Sequence, residues 1–162
     1  MRIGVVSDTH NNLRNVRRIV ELFNESGVER VIHTGDITQA KTIEVFADLE
    51  APMWGVYGNN DQGELVHLEE VAGDLGFDFI QPPLPLEWAG RRIVVVHDPL
   101  ELSLVTPSDF DLVLHGHTHL LRIDDMGSHL IFNPGECAGM MKGRNAIGVI
   151  DLEAMAPQII RF

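Results

Sequence analysis

A single cysteine, Cys137, in a chain of 162 residues excludes an intramolecular disulfide and any thiolate cluster for a structural zinc. A reducing compartment suits such a chain. Basic residues are scarce too: 12 Lys and Arg stand against 24 Asp and Glu, a formal charge of -12. That balance repels polyanions and favours cations, so nonspecific nucleic-acid binding, which needs basic side chains to neutralise phosphates, is not expected. No apolar run approaches membrane-spanning length. The N-terminal stretch Ile3 to Val6 is too short for a secretory signal and gives way at once to Ser7-Asp8. A cytoplasmic protein with no membrane association is the expectation. Linkers, low-complexity tracts and solenoid repeats are also missing, and the proline cluster Gln81-Pro82-Pro83-Leu84-Pro85 marks a turn. At 44% apolar and 22% charged residues, the composition is that of one globular domain over residues 1–162 with a real core.

Periodicity divides the chain into two textures. Residues 2–6, Arg2 followed by the apolar stretch Ile3 to Val6, read as a buried strand; Leu13, Val16, Arg17, Ile19, Val20 and Phe23 then recur with helical spacing up to a stop at Gly27. The unit repeats with a strand at residues 30–33, a helix at 39–49 and a strand at 52–56, and a third helix is predicted from Glu64 to about Leu75. Such alternation predicts parallel strands joined by helical crossovers. The second half reads mainly as strand: a hairpin of 84–88 and 92–96 around Ala89-Gly90, a short strand at 111–114, a hairpin of 120–124 and 128–132 around Asp125-Met126-Gly127, and a final pair at 146–151 and 157–162. Helices early and hairpins late predict two packed sheets with helices outside.

Polar residues cluster where such strands end. Asp8 and His10, Asp36, Asn59, His97, and His117 with His119 each lie just past an apolar strand, and ligand sites in α/β sheets gather at those carboxyl ends. The donors are oxygen and imidazole without thiolate, which suits zinc, manganese, iron, cobalt or nickel. Residues two apart in extended chain point the same way, so Asp8 with His10, and His117 with His119, are expected to present paired ligands. Gly35, Gly58 and Gly116 each precede a candidate ligand, where a missing Cβ lets the backbone come close.

The ordered motifs Asp8-Thr9-His10, Gly35-Asp36, Gly58-Asn59-Asn60-Asp61, His97 and Gly116-His117-Thr118-His119 resemble those of the calcineurin-like metallophosphoesterases. The short chain is similar to that family's small bacterial and archaeal phosphodiesterase branch. The match runs from residue 8 to Asn133-Pro134-Gly135. The resemblance implies a four-layer αββα sandwich, two mixed β-sheets flanked by helices. It also implies two divalent metal ions, manganese favoured, acting on a small phosphate-ester substrate, with diesters preferred. Asp8, His10 and His119 would hold the first ion and Asn59, His97 and His117 the second, with Asp36 bridging. Hydroxide between the ions would attack phosphorus in line. Asp36, Asn59 and Asn60 are the catalytic positions so implied.

Three positions depart from the family's fuller pattern. Asn60 stands where many members have a histidine that protonates the leaving group, and an amide cannot transfer a proton. Asp98-Pro99 follows His97 where a Gly-His pair is frequent, and Glu136 replaces a serine. If both carboxylates face the mouth, the pocket is less welcoming to highly charged monoesters. Plainer roles compete for several residues: Asp8 and Asp36 as helix caps, Asn59 as a turn residue, His97 as a hydrogen-bonded strand end. His115 falls on the strand side of Gly116 and is read as structural or supporting. His33 is read as packed, His67 and His129 as surface or structural, Trp54 and Trp88 as core, and Glu69-Glu70 as a solvated face. The rival functions are a noncatalytic scaffold, like the retromer subunit of this fold, and a phosphomonoesterase or pyrophosphate-cleaving enzyme. Homo-oligomerisation stays open.

Overall fold

The computed structural model describes residues 1–162. Eleven strands and three α-helices follow one another as β1 (Arg2–Val6), α1 (Leu13–Ser26), β2 (Arg30–His33), α2 (Ala40–Val45), β3 (Met53–Val56), α3 (Leu65–Asp74), β4 (Asp78–Ile80), β5 (Leu84–Trp88), β6 (Arg91–Val95), β7 (Leu112–Leu114), β8 (Arg122–Asp125), β9 (Leu130–Asn133), β10 (Ala146–Asp151) and β11 (Ala156–Arg161). They form two mixed sheets, ordered β11-β10-β1-β2-β3-β4 and β5-β6-β7-β9-β8. β1 to β4 are mutually parallel, as are β6, β7 and β9. The expected two-sheet sandwich is present.

Alternation along the strands decides which sheet face packs on what. Ile3 and Val5 of β1 and Ile32 of β2 turn inward to meet Ile93, Val95, Leu112, Leu114 and Phe132 of the other sheet. Their neighbours Val6, Val31 and Met53 face outward under Val16, Ile19, Val20 and Phe23, the apolar stripe of α1. Each such fully buried side chain contributes about 1.5–3 kcal/mol of burial free energy. On the second sheet, Val94, Val113 and Ile131 are covered by Leu102, Val105 and Phe110. The helical layer there is thin, consisting of 3-10 helices at Pro99–Leu104 and Pro107–Asp109.

Several boundaries differ from the periodic reading. The helix expected over 39–49 is α-helical only to Val45 and tightens into a 3-10 turn at Phe46–Asp48. β4 was not expected: its residues Asp78-Phe79-Ile80 are largely exposed and make no apolar run, and the strand exists because it pairs in parallel with β3. The β8–β9 turn spans residues 126–129 where 125–127 was expected, closed by Met126 N–H on the His129 carbonyl at 2.9 Å. Ala89 and Gly90 do form the β5–β6 turn, both with positive φ, as a two-residue hairpin needs. Trp54 and Trp88 pack edge to face at 4.9 Å beneath the Arg30 guanidinium, on the core as expected.

Candidate metal centre

The carboxyl ends of β1, β2, β3, β6 and β7 meet at one edge of the sandwich, and the seven predicted side chains converge there. Asp8, His10, Asp36 and His119 each offer a ligand atom, all within 4.8 Å of one another. His119 Nε2 lies 3.4 Å from Asp8 Oδ1, and His10 Nε2 lies 3.8 Å from Asp36 Oδ2. A second group forms around the Asn59 amide oxygen, 3.0 Å from both His97 Nε2 and His117 Nδ1. Asp36 belongs to both groups, because its other oxygen, Oδ1, is 3.4 Å from His97 Nε2.

Backbone shape delivers this arrangement. Asp8, His10, Asp36, His117 and His119 all adopt left-handed conformations, with φ between 44° and 65°. For residues with a Cβ these conformations cost on the order of 1 kcal/mol or more each and persist only where the surroundings impose them. Here cross-ties impose them: Asp8 N–H donates to the Gly35 carbonyl at 3.1 Å and His10 N–H to the Asp36 carbonyl at 2.8 Å. The expectation that spacing in extended chain pairs these ligands is therefore corrected. Neither pair is extended, and His117 and His119 point into different groups. Two glycines make the close approach feasible: a Cβ on Gly58 would strike Asp36 Oδ1, and one on Gly116 would strike Ser7 Oγ.

The supporting bonds set tautomers and free atoms. Ser7 Oγ–H and the His117 N–H, the latter at 3.1 Å, both donate to Asp8 Oδ2. Asp8 Oδ1 and His10 Nε2 are buried with no hydrogen-bond partner. His97 Nδ1 donates to the Thr34 carbonyl at 2.9 Å, which turns Nε2 toward the site as the donor atom. Burial alone would lower the His97 pKa, but hydrogen bonding and charge from Asp36 win and hold it at about 9. Burial opposes ionisation of Asp36 as well, yet the contacts of His97 and Asn60 hold its pKa below the usual carboxylate range. For Asp8 burial prevails over Ser7 and His119, and its pKa is raised.

A family model for the calcineurin-like phosphoesterase superfamily domain matches residues 1–155. Phosphodiesterase MJ0936 of Methanocaldococcus jannaschii is 36% identical over 158 residues, covering 94% of each chain. The chain belongs to the calcineurin-like phosphoesterase superfamily. The solved structure of an archaeal phosphodiesterase superposes with a TM-score of 0.91 at 34% identity over the whole of both chains. Vps29 of Entamoeba histolytica, solved with zinc, superposes with a TM-score of 0.66 at 16% identity, covering 100% of this chain and 98% of that one, which shows a shared fold alone.

As a metallophosphoesterase, the chain has a donor set that fits metal ions: unpartnered buried atoms on Asp8 and His10, and a carboxylate shared between two clusters of nitrogen and oxygen donors. Helix capping does not explain Asp8 or Asp36, since the N-caps of α1 and α2 are Asn12 and Gln39. Asn60 faces Asp36, its Nδ2 donating to Oδ2 at 2.7 Å and its N–H to Oδ1 at 3.0 Å. Glu136 does not line the mouth: it is fully buried and accepts the N–H groups of Met140 and Met141. Asp98 is partly exposed, with Oδ2 3.6 Å from His117 Nε2 and Oδ1 capping the turn that follows. His115 and His33 are buried, while His67 and His129 are at the surface.

One working residue had no role assigned from sequence. The buried carboxylate of Asp61 accepts four backbone N–H groups, from Gly58, Asp36, Ile37 and Thr38, at 2.6–3.0 Å. It thereby ties the loop of Asp36 to the loop of Asn59. Its signal was its place closing Gly-Asn-Asn-Asp, but a partner list spanning two loops cannot be read from local spacing.

Proposed function

We propose that the chain is a dinuclear-metal-dependent phosphoesterase that prefers phosphodiesters, acting as one domain over residues 1–162 in the cytoplasm. The observation that carries this reading is Asp36, whose two oxygens face His10 and His97 from opposite donor groups. Asp8, His10 and His119 would hold one ion, Asn59, His97 and His117 the other, with Asp36 between them. Bound there, two divalent ions, manganese favoured, would neutralise phosphate charge and acidify a water for in-line attack.

The protein's own groups do the positioning. Asn60 holds Asp36 through two hydrogen bonds, and Thr34 fixes the His97 tautomer. Asp98, beside His117 and partly exposed, adds negative charge at the opening and favours an ester with one ionisable oxygen over one with two. No helix is long and apolar enough to cross a membrane, which fits a small substrate met in water.

The test combines elemental analysis with hydrolysis of bis(p-nitrophenyl) phosphate and p-nitrophenyl phosphate. Two ions per chain, loss of turnover on chelation, recovery with manganese and a preference for the diester are expected. Undiminished hydrolysis by fully chelated protein would overturn the mechanism. A folded chain that never takes up metal would favour the scaffold alternative.

A further inference from the structure

The few cations of this acidic molecule are unevenly placed. Arg14, Arg18, Lys142 and Arg161 line a cleft of about 830 Å³ between the start of α1 and the loop that precedes β10. Arg161 and Arg144 line a second cleft of about 360 Å³ with Leu120 and Leu121, and this one reaches His119. The two clefts have Arg161 as a common lining residue, and taken together they make a basic channel region with a proposed metal ligand, His119, lining one part of it. No acidic side chain lines either part, although the chain carries twice as many acidic as basic residues.

The charge in the channel is available. Arg14, Lys142, Arg144 and Arg161 form no ion pair with a carboxylate, whereas Arg18 is already paired with Glu21 at 2.7 Å and Glu25 at 3.5 Å. The loop that presents Lys142 and Arg144 is firmly built. The buried Glu136 carboxylate accepts Met140 N–H at 3.1 Å and Met141 N–H at 2.7 Å. Asn12 Nδ2 donates to the Ala138 carbonyl at 2.8 Å and Asn15 Nδ2 to that of Cys137 at 2.7 Å. Glu136 also lies 3.8 Å from His119 Nδ1, so the basic loop is held in register with the metal centre.

We propose that this channel binds a second phosphate of the substrate, so that the preferred diester is a nucleotide-type molecule carrying a further phosphate beyond the scissile one. The proposal rests on the phosphodiesterase reading above. Exposed Leu120 and Leu121 offer an apolar floor for a nucleoside, and the arginines beyond them meet its phosphate. The reaction is unchanged: water adds at the inner phosphorus and the nucleoside alcohol leaves. The net charge of -12 disfavours a polyanion on the molecule at large, so these unpaired cations are where its second phosphate gains most.

Two measurements test this. The first compares kcat/KM for the dithymidylate TpT with that for its 5′-phosphorylated form. The metal-loaded protein is expected to favour the phosphorylated form about tenfold at low salt, a ratio that falls toward one in Arg144→Gln/Arg161→Gln and with rising salt. Arg2→Gln/Arg92→Gln, at the opposite strand ends, is expected to keep the ratio. The second titrates thymidine 5′-monophosphate calorimetrically into chelated protein, where Arg144→Gln/Arg161→Gln should weaken binding about tenfold. A native ratio of one, or a ratio and an affinity unmoved by the double substitution, overturns the proposal. Binding that responds to the substitution in a protein that hydrolyses no diester would support the channel while removing the phosphodiesterase reading.

Discussion

Asp36 carries the most weight of any single residue, because its carboxylate is the only group common to both donor clusters. Asp36→Asn keeps the shape and removes the charge. It is expected to empty both metal positions and to lower kcat by roughly 10²–10³ or more, measured by elemental analysis and steady-state hydrolysis. His115→Ala is the contrasting case. His115 is buried with Nδ1 against the Gly116 carbonyl, outside both groups, so the variant should retain both ions. Loss of one would redraw the ligand set. Asn60 bears on the proposed mechanism: its amide is committed to Asp36 and cannot transfer a proton, so a departing oxygen would carry its own developing charge. Single-turnover cleavage of aryl diesters of graded phenol pKa should therefore show a steep dependence in the native protein. A flat series would reveal another acid.

At the scale of elements, the site depends on two loops held by one buried carboxylate. Asp61 joins the β2–α2 turn to the β3–α3 loop, and Asp61→Asn would aim an amide N–H₂ at backbone donors or leave some of them unmet. A loss of roughly 2–3 kcal/mol in denaturant unfolding is expected, with weakened binding of both ions although Asp61 touches neither. A stable variant with normal metal content would show that the loops hold their shape without it. α1 is legible because its apolar residues repeat with the period of one buried face, and β1, β2 and β3 because each is a short apolar run buried on both faces. β4 and the 3-10 helices at 99–109 are not, since none of them carries a buried apolar run: β4 is half-buried at Phe79 alone, no residue of the 3-10 helices is fully buried, and their partners lie on distant strands.

Across the whole molecule, the buried polar groups that support the site also set how the fold responds to acid. His33 is wholly buried; its Nδ1 accepts Gly35 N–H at 3.1 Å and its Nε2 faces Thr9 Oγ1 at 3.0 Å, an arrangement that requires the neutral ring. Burial, followed by the nearby His97, pushes its pKa down from 6.5 to about 3. Between those values the unfolded chain binds a proton that the folded chain refuses, so stability falls as pH drops, by up to about 1.4 kcal/mol per pH unit from this group, and is unaffected by it above pH 6.5. His33→Asn offers an oxygen to Gly35 N–H without that titration. In chelated protein its stability should decline less steeply over this window; equal slopes would assign the acid response to other groups.

The sequence by itself determined the fold class, the family and the identity of the polar residues at the site, because strand and helix periods, the order of the motifs and the chemical type of each donor are local properties of the chain. It also named Asn60 as a residue that cannot act as an acid, which follows from the amide alone. Tertiary structure decided the rest: that Asp36 is shared, that His117 and His119 part company, that Glu136 turns inward, that Asp61 ties two loops, and that Arg144 and Arg161 line one cleft with His119. Most of these are distances between residues far apart in sequence, on five different strand ends and the loops between them, and the others are set by the path of a loop. Only the register of the sheets and the left-handed turns at their edges bring such groups together, and neither leaves a period in the chain to be read.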